Sequence, residues 1–312
     1  MEKVVILGGS GFLGTHVVQA FTRGGYQVET CSRKNGVDAR EEGALAAFLE
    51  KAKPAILVNC AHHGGGIAYN AKHSLDIYED NLLIGFHAVR AAVRSGVNKL
   101  VNIMGNSTYP GVSNLYEESE WWNGSLHPSV MASGLPRKAQ WVQAWAYEDE
   151  RGFCSVHLVL PNMFGPGDHL DPGRSHALTA LIRKIWEAKN NGSQRVEIWG
   201  SGKPVREWLY VEDAAAGIVR AARQYDEMEI LNLGSGQGCS VRELADTIRE
   251  LLGWSGEFFY DTARPDGAPC KVFDVSKMKA KLGWTPPTEL RDGIRKTIDW
   301  FVSTQHASAA AH

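Results

Sequence analysis

Residues 4–14 read VVILGGSGFLG, an apolar run that leads directly into a glycine-rich segment. The apolar run predicts a buried parallel strand, and the glycines that follow it form the pattern G-x-x-G-x-x-G. Glycines in this context let the turn close, and they let backbone N–H groups at the start of the next helix approach a pyrophosphate. We therefore interpret the segment as a dinucleotide-binding loop with contacts from Gly8, Gly11, Phe12, Leu13 and Gly14.

Strands and helices alternate along the first half of the chain. Further strands are predicted at 27–31, 55–60, 99–104 and 155–160, and helices at 14–23, 42–52, 77–95 and 135–151. The strands are apolar without a period of two, which is typical of a parallel sheet covered on both faces. The sequence therefore predicts an α/β protein built on a Rossmann-type doubly wound parallel sheet.

The regular alternation ends after about residue 165. Helices are predicted at 175–189, 212–224 and 240–252, with short strands at 195–199 and 229–232, which indicates a smaller mixed α/β lobe for substrate. We expect a dinucleotide-binding domain at 1–165 and mainly a second, substrate-binding lobe at 166–303, with some chain crossing back. Residues 304–312 are expected to form a frayed tail.

The composition of the 312-residue chain is that of an ordinary globular enzyme, with 44% hydrophobic and 22% charged residues. A net charge of −2 and a pI near 6.6 give no electrostatic reason to expect nucleic acid. The sequence contains neither a run of 18 apolar residues nor a signal peptide, and its five cysteines lack C-x-x-C spacing. We therefore expect a cytoplasmic protein whose partners include neither nucleic acid nor a membrane.

Two cations follow the second predicted strand, in the segment CSRK at 31–34. A site specific for NAD usually has an acidic residue here, which binds the ribose 2′-hydroxyl. Ser32, Arg33 and Lys34 instead suit the 2′-phosphate of NADP, although a solvated basic turn is the alternative. Asp38 lies where a carboxylate could meet the adenine amino group, and Ala61 is included among the cofactor contacts. The sequence thus predicts binding of NADP(H) or NAD(H).

Several longer segments can be recognised in the rest of the chain: AHHGGGI at 61–67, STYP at 107–110, WNG at 122–124, LPNMFGPGD at 160–168, SH at 175–176, WGSGKPVRE at 199–207 and RPDG at 264–267. Their order and spacing resemble the GDP-fucose synthases, which are extended short-chain dehydrogenase/reductases of the NAD-dependent epimerase/dehydratase type. The likeness extends from residue 4 to about residue 300. It implies an enzyme that epimerises and reduces a GDP-4-keto-6-deoxyhexose. It also implies a homodimer, to which the helices predicted at 77–95 and 135–151 could contribute a four-helix contact.

The resemblance stops at the residues that carry the family's hydride chemistry. In the family, a Ser polarises the keto oxygen, a Tyr donates a proton to it, and a Lys lowers the pKa of the Tyr. Counting from WNG at 122–124 gives Ser133 at the Tyr position and Arg137 at the Lys position, and the Ser position falls on Gly105. An aliphatic hydroxyl is a much weaker acid than a phenol, and a guanidinium does not titrate in a useful range.

The family's acid–base pair for epimerisation is also incomplete. By resemblance, its Cys falls on Ser107 and its His falls on His176, so only the His is present. A hydroxyl without a neighbouring base does not readily abstract a carbon-bound proton. The candidate catalytic residues are therefore His176, Ser107, Tyr109, Ser133 and Arg137.

The sugar-nucleotide pocket matches the family better. Arg206 corresponds by resemblance to the diphosphate-binding Arg, and a guanidinium fork suits phosphate oxygens. For each cation in this region the alternative is a solvated surface charge. The resemblance assigns to the pocket Asn162, Arg183, Lys184, Trp199, Arg206 and Asp266.

Three functions fit a chain that retains this pocket but lacks the hydride residues. The preferred one is a non-redox isomerase, a pyranose/furanose mutase in which Arg206 and Lys184 stabilise charge on the leaving diphosphate. The pattern of losses resembles the flavin-independent GDP-sugar mutases, so no flavin is expected. The second is an NADPH-dependent 4-keto sugar-nucleotide epimerase/reductase with Tyr109 or His176 as proton donor. The third is a catalytically silent nucleotide-sugar-binding protein.

A divalent metal such as Mn²⁺ on the diphosphate would assist the mutase reaction as a Lewis acid. The imidazole and carboxylate groups that could bind it are His62, His63, Asp168 and His169. None of them has dedicated ligand spacing such as H-E-x-x-H, so a hydrogen-bonded pocket or surface residue is the alternative for each.

Overall fold

The computed structural model describes residues 1–111, 113, 115–171, 175–264 and 266–310. Pro265 of the RPDG segment and residues 311–312 of the expected tail lie outside these ranges. The strands are β1 (Lys3–Leu7), β2 (Gln27–Cys31), β3 (Ile56–Asn59), β4 (Lys99–Gly105), β5 (Cys154–Leu160), β6 (Asn162–Phe164), β7 (Arg195–Trp199), β8 (Val205–Tyr210), β9 (Ile230–Asn232), β10 (Gly238–Ser240), β11 (Glu257–Asp261) and β12 (Cys270–Lys271). The α-helices are α1 (Phe12–Arg23), α2 (Glu42–Ala52), α3 (Ile67–Lys72), α4 (Ser74–Arg94), α5 (Met131–Arg151), α6 (Ala177–Asn191), α7 (Val211–Gln224), α8 (Val241–Leu252), α9 (Ser276–Leu282) and α10 (Leu290–Ala310).

A six-stranded parallel sheet forms the centre of the larger lobe, in the order β2-β1-β3-β4-β5-β9. Strand β3 is buried along its whole length, and β1, β4 and β5 along nearly all of theirs. Burial on both faces explains why these strands are continuous apolar runs in the sequence. The predicted doubly wound α/β fold is confirmed.

Alternate residues of β1 show how the helices cover the sheet. Val4 and Ile6 belong to one core cluster, which includes buried residues of α1 and α7. Val5 and Leu7 belong to another, with buried residues of α2, α4 and α5. Successive side chains of a strand point to opposite faces, so the two clusters lie on opposite sides of the sheet.

The smaller lobe has its own sheets and core. Strand β8 pairs with β6, β10 and β12, and β7 pairs with β11. Apolar residues of α6, α8 and α10 pack together beneath them. Strands β6, β8, β10, β11 and β12 were not predicted. Strands β6, β10 and β12 have only two or three residues each, and β11 is only partly buried, which weakens the sequence pattern.

The C-terminal part of the chain differs from the sequence expectation in one respect. Helix α10 extends to Ala310, so helix covers most of the segment for which a frayed tail was predicted. Strand β9 returns to the large sheet from the second half of the chain, which is the chain crossing that the domain boundaries allowed for. Among the described residues, no helix is both long and apolar enough to cross a membrane.

The strand order places a crevice beside β1. The chain moves from β1 to β2 on one side and then to β3 on the other, so the topology reverses between β1 and β3. In open α/β sheets, ligands bind at the carboxyl ends of the strands at such a switch point. Two loops meet there: residues 8–11 after β1 and residues 60–66 after β3.

Candidate functional site

The glycine loop after β1 has the geometry of a pyrophosphate cradle. Gly8 has φ +78°, and a Cβ at Gly14 would lie 2.1 Å from the carbonyl oxygen of Gly8. Any side chain at position 14 would therefore push α1 away from the strand. Gly11 is the N-cap of α1 and provides no side-chain cap, so the first N–H groups of the helix remain available. An uncapped helix N-terminus at a switch point binds phosphate groups.

The segment after β2 is held by its own hydrogen bonds. Ser32 and Asn35 form a reciprocal cap, in which the N–H and hydroxyl of Ser32 both donate to Asn35 Oδ1, at 2.7 and 2.8 Å. This arrangement leaves Arg33 and Lys34 exposed on the turn. Asp38, the expected adenine contact, accepts hydrogen bonds from the guanidinium of Arg40, which holds its pKa below the usual range.

The loop after β3 contains two adjacent histidines with different surroundings. His62 Nδ1 lies 2.8 Å from Asn81 Oδ1, and the backbone N–H of His63 donates to the same oxygen. His63 uses both ring nitrogens, with Nδ1 at 2.8 Å from Asp80 and Nε2 at 2.9 Å from the Tyr69 hydroxyl. His63 is therefore fixed against α3 and α4, whereas only one nitrogen of His62 is engaged within the described part of the chain.

His176 forms a dyad with a buried carboxylate. Its Nδ1 lies 2.6 Å from Asp168 Oδ1, and the Asp168 side chain has no exposed surface while that of His176 is 41% exposed. Burial alone would lower the pKa of His176, but the hydrogen bond and charge of Asp168 raise it above its usual value. Burial alone would raise the pKa of Asp168, and His176 holds it below the usual value. The imidazole ring lies 5.6 Å from the ring of Phe12, so the dyad borders the dinucleotide loop.

The positions of the family's Ser, Tyr and Lys hold groups of a different kind. Ser133 is buried in the first turn of α5, where its hydroxyl donates to the Val130 carbonyl at 3.1 Å. Arg137, one turn later, donates from Nη1 to the Ile103 carbonyl, and burial lowers its pKa to about 10. Ser107 lies in the short turn that follows β4, and Gly105 ends that strand. None of these groups is a phenol or an amine that could donate a proton near neutral pH.

The neighbouring Lys138 does not replace the missing lysine. Its Nζ donates to the Trp121 carbonyl and lies 4.4 Å and 4.2 Å from the ring centroids of Trp121 and Trp122. Burial lowers the pKa of Lys138 to about 8. The side chain therefore joins α5 to an aromatic cluster that includes Trp121 and Trp122.

Tyr109 lies in the core. Its ring stacks on Tyr116 with centroids 4.5 Å apart, and its hydroxyl donates to Asn232 Oδ1 at 2.8 Å. Only 1% of its surface is exposed, and burial raises its pKa far above the usual value. A phenol in this environment cannot reach a substrate or lose its proton, so Tyr109 is removed from the candidate proton donors.

Two cations face one another in the smaller lobe. Arg206 of β8 is paired in register with Lys271 of β12, which places the two side chains on the same face of adjacent strands. Burial and the charge of Arg206 lower the pKa of Lys271 to about 8, and burial lowers the pKa of Arg206. Two partly buried like charges destabilise each other unless an anion binds between them. The pair therefore has the character of a diphosphate site.

Trp199 projects from the end of β7 with 54% of its surface exposed. Two cations lie over its ring: Lys184 Nζ at 5.8 Å from the centroid and the Arg264 guanidinium at 5.0 Å. Asp266 accepts hydrogen bonds from the N–H and hydroxyl of Ser201, at 2.6 and 2.8 Å, and so holds the turn after Trp199. The exposed indole can stack on a planar base.

Two of the other expected substrate contacts are engaged within the protein. Asn162 Nδ2 donates to the Glu207 carbonyl at 3.1 Å, which joins β6 to β8. Arg183 Nη1 lies 3.5 Å from the Leu170 carbonyl, on the side of α6 that faces the 166–171 loop. Arg183 and the adjacent Lys184 project from α6 toward different neighbours, Leu170 and Trp199. We therefore do not expect both to contact the same group of the substrate.

The candidate metal ligands do not form a metal site. His62 and His63 are bonded to Asn81 and Asp80, Asp168 is bonded to His176, and the N–H of His169 donates to Asp168. Over the described ranges, no group of three or more His, Cys, Asp or Glu side chains could hold a metal ion. These contacts fit the alternative in which each side chain has a hydrogen-bonding role.

Sequence reasoning missed three residues that the fold brings to these sites. Asn81 lies on α4, 19 residues from the histidine that it orients. Arg264 lies within the recognised RPDG segment and Lys271 lies shortly after it, but nothing in their spacing indicates a partner. Strand register and helix docking bring them into place, and a single sequence does not reveal these.

Comparison with known proteins agrees with this geometry. Residues 4–234 match the model of the family described as "NAD dependent epimerase/dehydratase family". The chain belongs to this family. It is 33% identical over 301 residues to "GDP-L-fucose synthase 1" of Arabidopsis thaliana, covering 96% of this chain and 93% of that protein. It is 28% identical to the "GDP-L-fucose synthase" of Escherichia coli, covering 97% and 98% of the two chains.

Solved structures show the same likeness. A "GDP-6-OMe-4-keto-L-xylo-heptose reductase" from C. jejuni superimposes with a TM-score of 0.91 at 26% identity, over 97% of this chain and 98% of that one. A "GDP-mannoheptose C4 reductase" from Campylobacter jejuni with NADP bound gives a TM-score of 0.87 at 26% identity, over 96% and 98%. Together with the uncapped glycine loop, these matches confirm the prediction that the chain binds a nicotinamide dinucleotide.

The same comparisons correct the preferred function. The prediction of a pyranose/furanose mutase, and of an isomerase without redox chemistry, is wrong, because these relatives are named as GDP-sugar synthases and reductases. The resemblance to the GDP-fucose synthases is confirmed, whereas the resemblance to the mutases is not. The mutase prediction came from the assignment of the family's Ser, Tyr and Lys positions to Gly105, Ser133 and Arg137, which was interpreted as a change of reaction class.

Proposed function

We propose that this chain is an NADP(H)-dependent epimerase/reductase that acts on a GDP-4-keto sugar. The reaction class and the substrate class come from the synthases and reductases that it resembles. The observation that carries the proposal is the His176–Asp168 dyad, because it places beside the dinucleotide loop an imidazole whose pKa the carboxylate raises. A reductase needs such a proton donor, and the family's phenol is missing.

The dinucleotide is held by the glycine loop and by the turn after β2. The pyrophosphate binds to the open N–H groups of Phe12, Leu13 and Gly14, with Ala61 packed against Gly8 at the floor of the loop. Ser32, Arg33 and Lys34 bind the 2′-phosphate, which favours NADP(H) over NAD(H). When bound, the reduced dinucleotide supplies the hydride for the keto carbon.

His176 donates the proton to the keto oxygen. Its Nδ1 is committed to Asp168, so Nε2 is the nitrogen that can face a substrate. Because Asp168 raises its pKa, the ring keeps its proton to a higher pH than an isolated imidazole would. Arg137 adds a fixed positive charge at the position of the family's Lys, which favours negative charge developing on the oxygen.

The GDP moiety is held by the smaller lobe. Arg206 and Lys271 bind the diphosphate, with the planar fork of Arg206 suited to two phosphate oxygens. Trp199 stacks on the guanine base, and Lys184 and Arg264 lie on the same ring. Asn162 and Asp266 shape the pocket through the bonds that they form to Glu207 and Ser201.

We also propose that the enzyme is a homodimer. Helices α4 and α5 pack against each other and carry exposed apolar side chains. A second copy of the chain would remove this apolar surface from water, which favours association. These side chains are Leu83, Phe86, Leu135, Val142 and Trp145.

The proposed activity is tested by mixing the purified protein with NADPH and GDP-4-keto-6-deoxymannose. We expect the absorbance of the reduced nicotinamide to fall as a reduced GDP-sugar forms, and we expect NADH to be used less well because it lacks the 2′-phosphate. Binding of both ligands without any oxidation of NADPH would contradict the proposal and would favour the catalytically silent protein.

An Asp168→Asn variant tests the dyad through its pH profile. His176 has a raised pKa, so its charge is present at low pH and is lost as the pH rises through that pKa. Removing the carboxylate charge leaves burial unopposed, so the pKa of His176 falls and the alkaline limb of kcat moves to lower pH. The measurement is kcat for NADPH oxidation between pH 5 and 9. An alkaline limb that stays in place would show that Asp168 does not set the charge of the donor.

A further inference from the structure

His62 is held as a single tautomer. Asn81 Nδ2 donates to the carbonyls of His63 and Ile77, at 2.8 and 2.7 Å, so the amide oxygen of Asn81 must be the atom that faces His62. That oxygen is an acceptor and lies 2.8 Å from His62 Nδ1. Nδ1 therefore carries the hydrogen, and in the neutral ring Nε2 carries a lone pair.

His62 is an exposed residue in the loop at the switch point. The Nε2 edge of its ring lies against Gly64, where a Cβ would stand 2.6 Å from Nε2, so only glycine leaves room for the ring in this position. Within the described ranges, Nε2 has no hydrogen-bond partner, and the residue as a whole is solvent-accessible. An accessible ring at the carboxyl ends of β1 and β3 lies where substrate and dinucleotide meet in this fold.

Three cationic or titratable groups face His62 from the elements around it. They are Arg137 of α5, His63 of the same loop and His176 at the start of α6. Although the residue keeps exposed surface, the protein groups packed around the ring desolvate it, and together with the charge of Arg137 they hold the pKa of His62 well below its usual value, which is the opposite of the shift at His176. Two titratable groups in one cleft whose pKa values are moved apart are suited to be a base and an acid.

We propose that His62 Nε2 is the base that removes the carbon-bound proton next to the keto group during epimerisation. This inference rests on the proposed function, and it assigns the role that Ser107 cannot perform without a neighbouring base. His62 lies in the loop after β3, whereas Ser107, at the position of the family's Cys, follows β4, so this chain performs the same step with a residue from the neighbouring loop.

The proton transfers balance without a further reagent. The C–H bond beside the keto group breaks, its proton moves to His62 Nε2, and its electron pair forms a C=C bond. The keto oxygen takes a proton from His176 Nε2, which gives a neutral enediol. The enediol then takes a proton from solvent on the opposite face of the carbon, while its hydroxyl returns a proton to His176 and His62 releases its own to solvent. The sugar keeps its formula and oxidation state.

A His62→Gln variant tests this assignment by hydrogen exchange. The protein is incubated in D₂O with GDP-4-keto-6-deoxymannose and NADP⁺, and the loss of the C3 and C5 protons is followed by NMR. We expect exchange to be about 10²-fold slower than in the wild type, which is the contribution of a general base. Binding of NADPH is measured in parallel and is expected to be unchanged, which excludes misfolding as the cause.

His63→Gln is the matched control, because it changes the adjacent histidine, whose ring nitrogens are both occupied by Asp80 and Tyr69. Its exchange rate should stay within about threefold of the wild type. A His62→Ala variant adds a second arm, since free imidazole can enter the open cleft and should restore part of the exchange.

The outcomes separate this inference from the function on which it rests. If the wild type oxidises NADPH but the His62→Gln variant exchanges as fast as the wild type, the base assignment is wrong and the reductase proposal stands. The base assignment is also wrong, and the reductase proposal still stands, if the wild type oxidises NADPH but does not exchange the C3 and C5 protons at all. If the wild type exchanges but never oxidises NADPH, the reductase proposal is wrong, and slow exchange in the variant still supports His62 as the base.

Discussion

A His176→Gln variant is expected to lose about 10³-fold to 10⁴-fold of kcat for NADPH oxidation, because it removes the general acid while leaving both binding sites in place. Glutamine can still donate a hydrogen bond to Asp168, so the link between positions 168 and 176 is kept. An amide, however, cannot give up a proton to a keto oxygen. The loss should therefore appear in kcat and not in the KM for the sugar nucleotide. Steady-state kinetics at fixed, saturating NADPH measure both.

His73→Gln provides the control for this prediction. Its Nδ1 lies 3.5 Å from Asp76 at the start of α4, so it too is a histidine paired with a carboxylate, but it lies outside the proposed site. Its kcat should be that of the wild type. A His176→Gln enzyme that retained more than about a tenth of the wild-type kcat would show that another group protonates the oxygen.

The fold could be predicted because its signals are local. The run at 4–14 carries strand, turn and helix start within eleven residues, and each later strand of the large sheet is an apolar segment bounded by turn residues. The smaller lobe was only outlined, since strands such as Cys270–Lys271 are too short to produce a periodic pattern. Their positions depend on pairing with Val205–Tyr210, which is a tertiary contact.

Individual residues of the candidate site could be predicted from the sequence, but their partners, burial and pKa shifts could not. His176 and Arg206 were identified by motif. The sequence did not show, however, that a buried Asp168 bonds to His176 or that Lys271 is paired with Arg206. Tyr109 illustrates the converse, because a tyrosine in a recognised segment was expected to be accessible and is instead stacked on Tyr116. Burial and partner decide the pKa of a side chain, and neither can be read from spacing alone.

The missing Ser, Tyr and Lys led the sequence interpretation away from the family's reaction. A missing residue removes one way of performing a step, but it does not say what the chain does instead. Here the fold offers other groups at the same crevice: an imidazolium fixed by a carboxylate and a neutral imidazole fixed by an amide. Proton transfer depends on position and pKa, so the residue type can change while the reaction class is kept.

An Arg206→Met, Lys271→Met double variant is expected to bind GDP-mannose about 10²-fold to 10⁴-fold more weakly than the wild type. Hydrogen bonds to charged groups contribute about 1.5–3 kcal/mol each, and the variant removes one such donor group from each of two paired strands. GDP-mannose has no keto group, so binding can be measured by calorimetry without reaction. Free protein should be at least as stable, because two like charges that repel each other across β8 and β12 are gone.

The pH dependence of this binding identifies Lys271 as one of the two cations. In the free protein its pKa is lowered to about 8, so it is charged below that pH and becomes neutral above it. Wild-type affinity for GDP-mannose should therefore fall as the pH rises through 8, whereas the single Lys271→Met variant should be weaker throughout and lose that dependence. Arg295→Met, which removes an exposed cation of α10 paired with Asp292, serves as the charge-matched control and should bind normally. Normal binding by the double variant would mean that the diphosphate lies elsewhere, and the orientation of the sugar toward His176 would have to be assigned again.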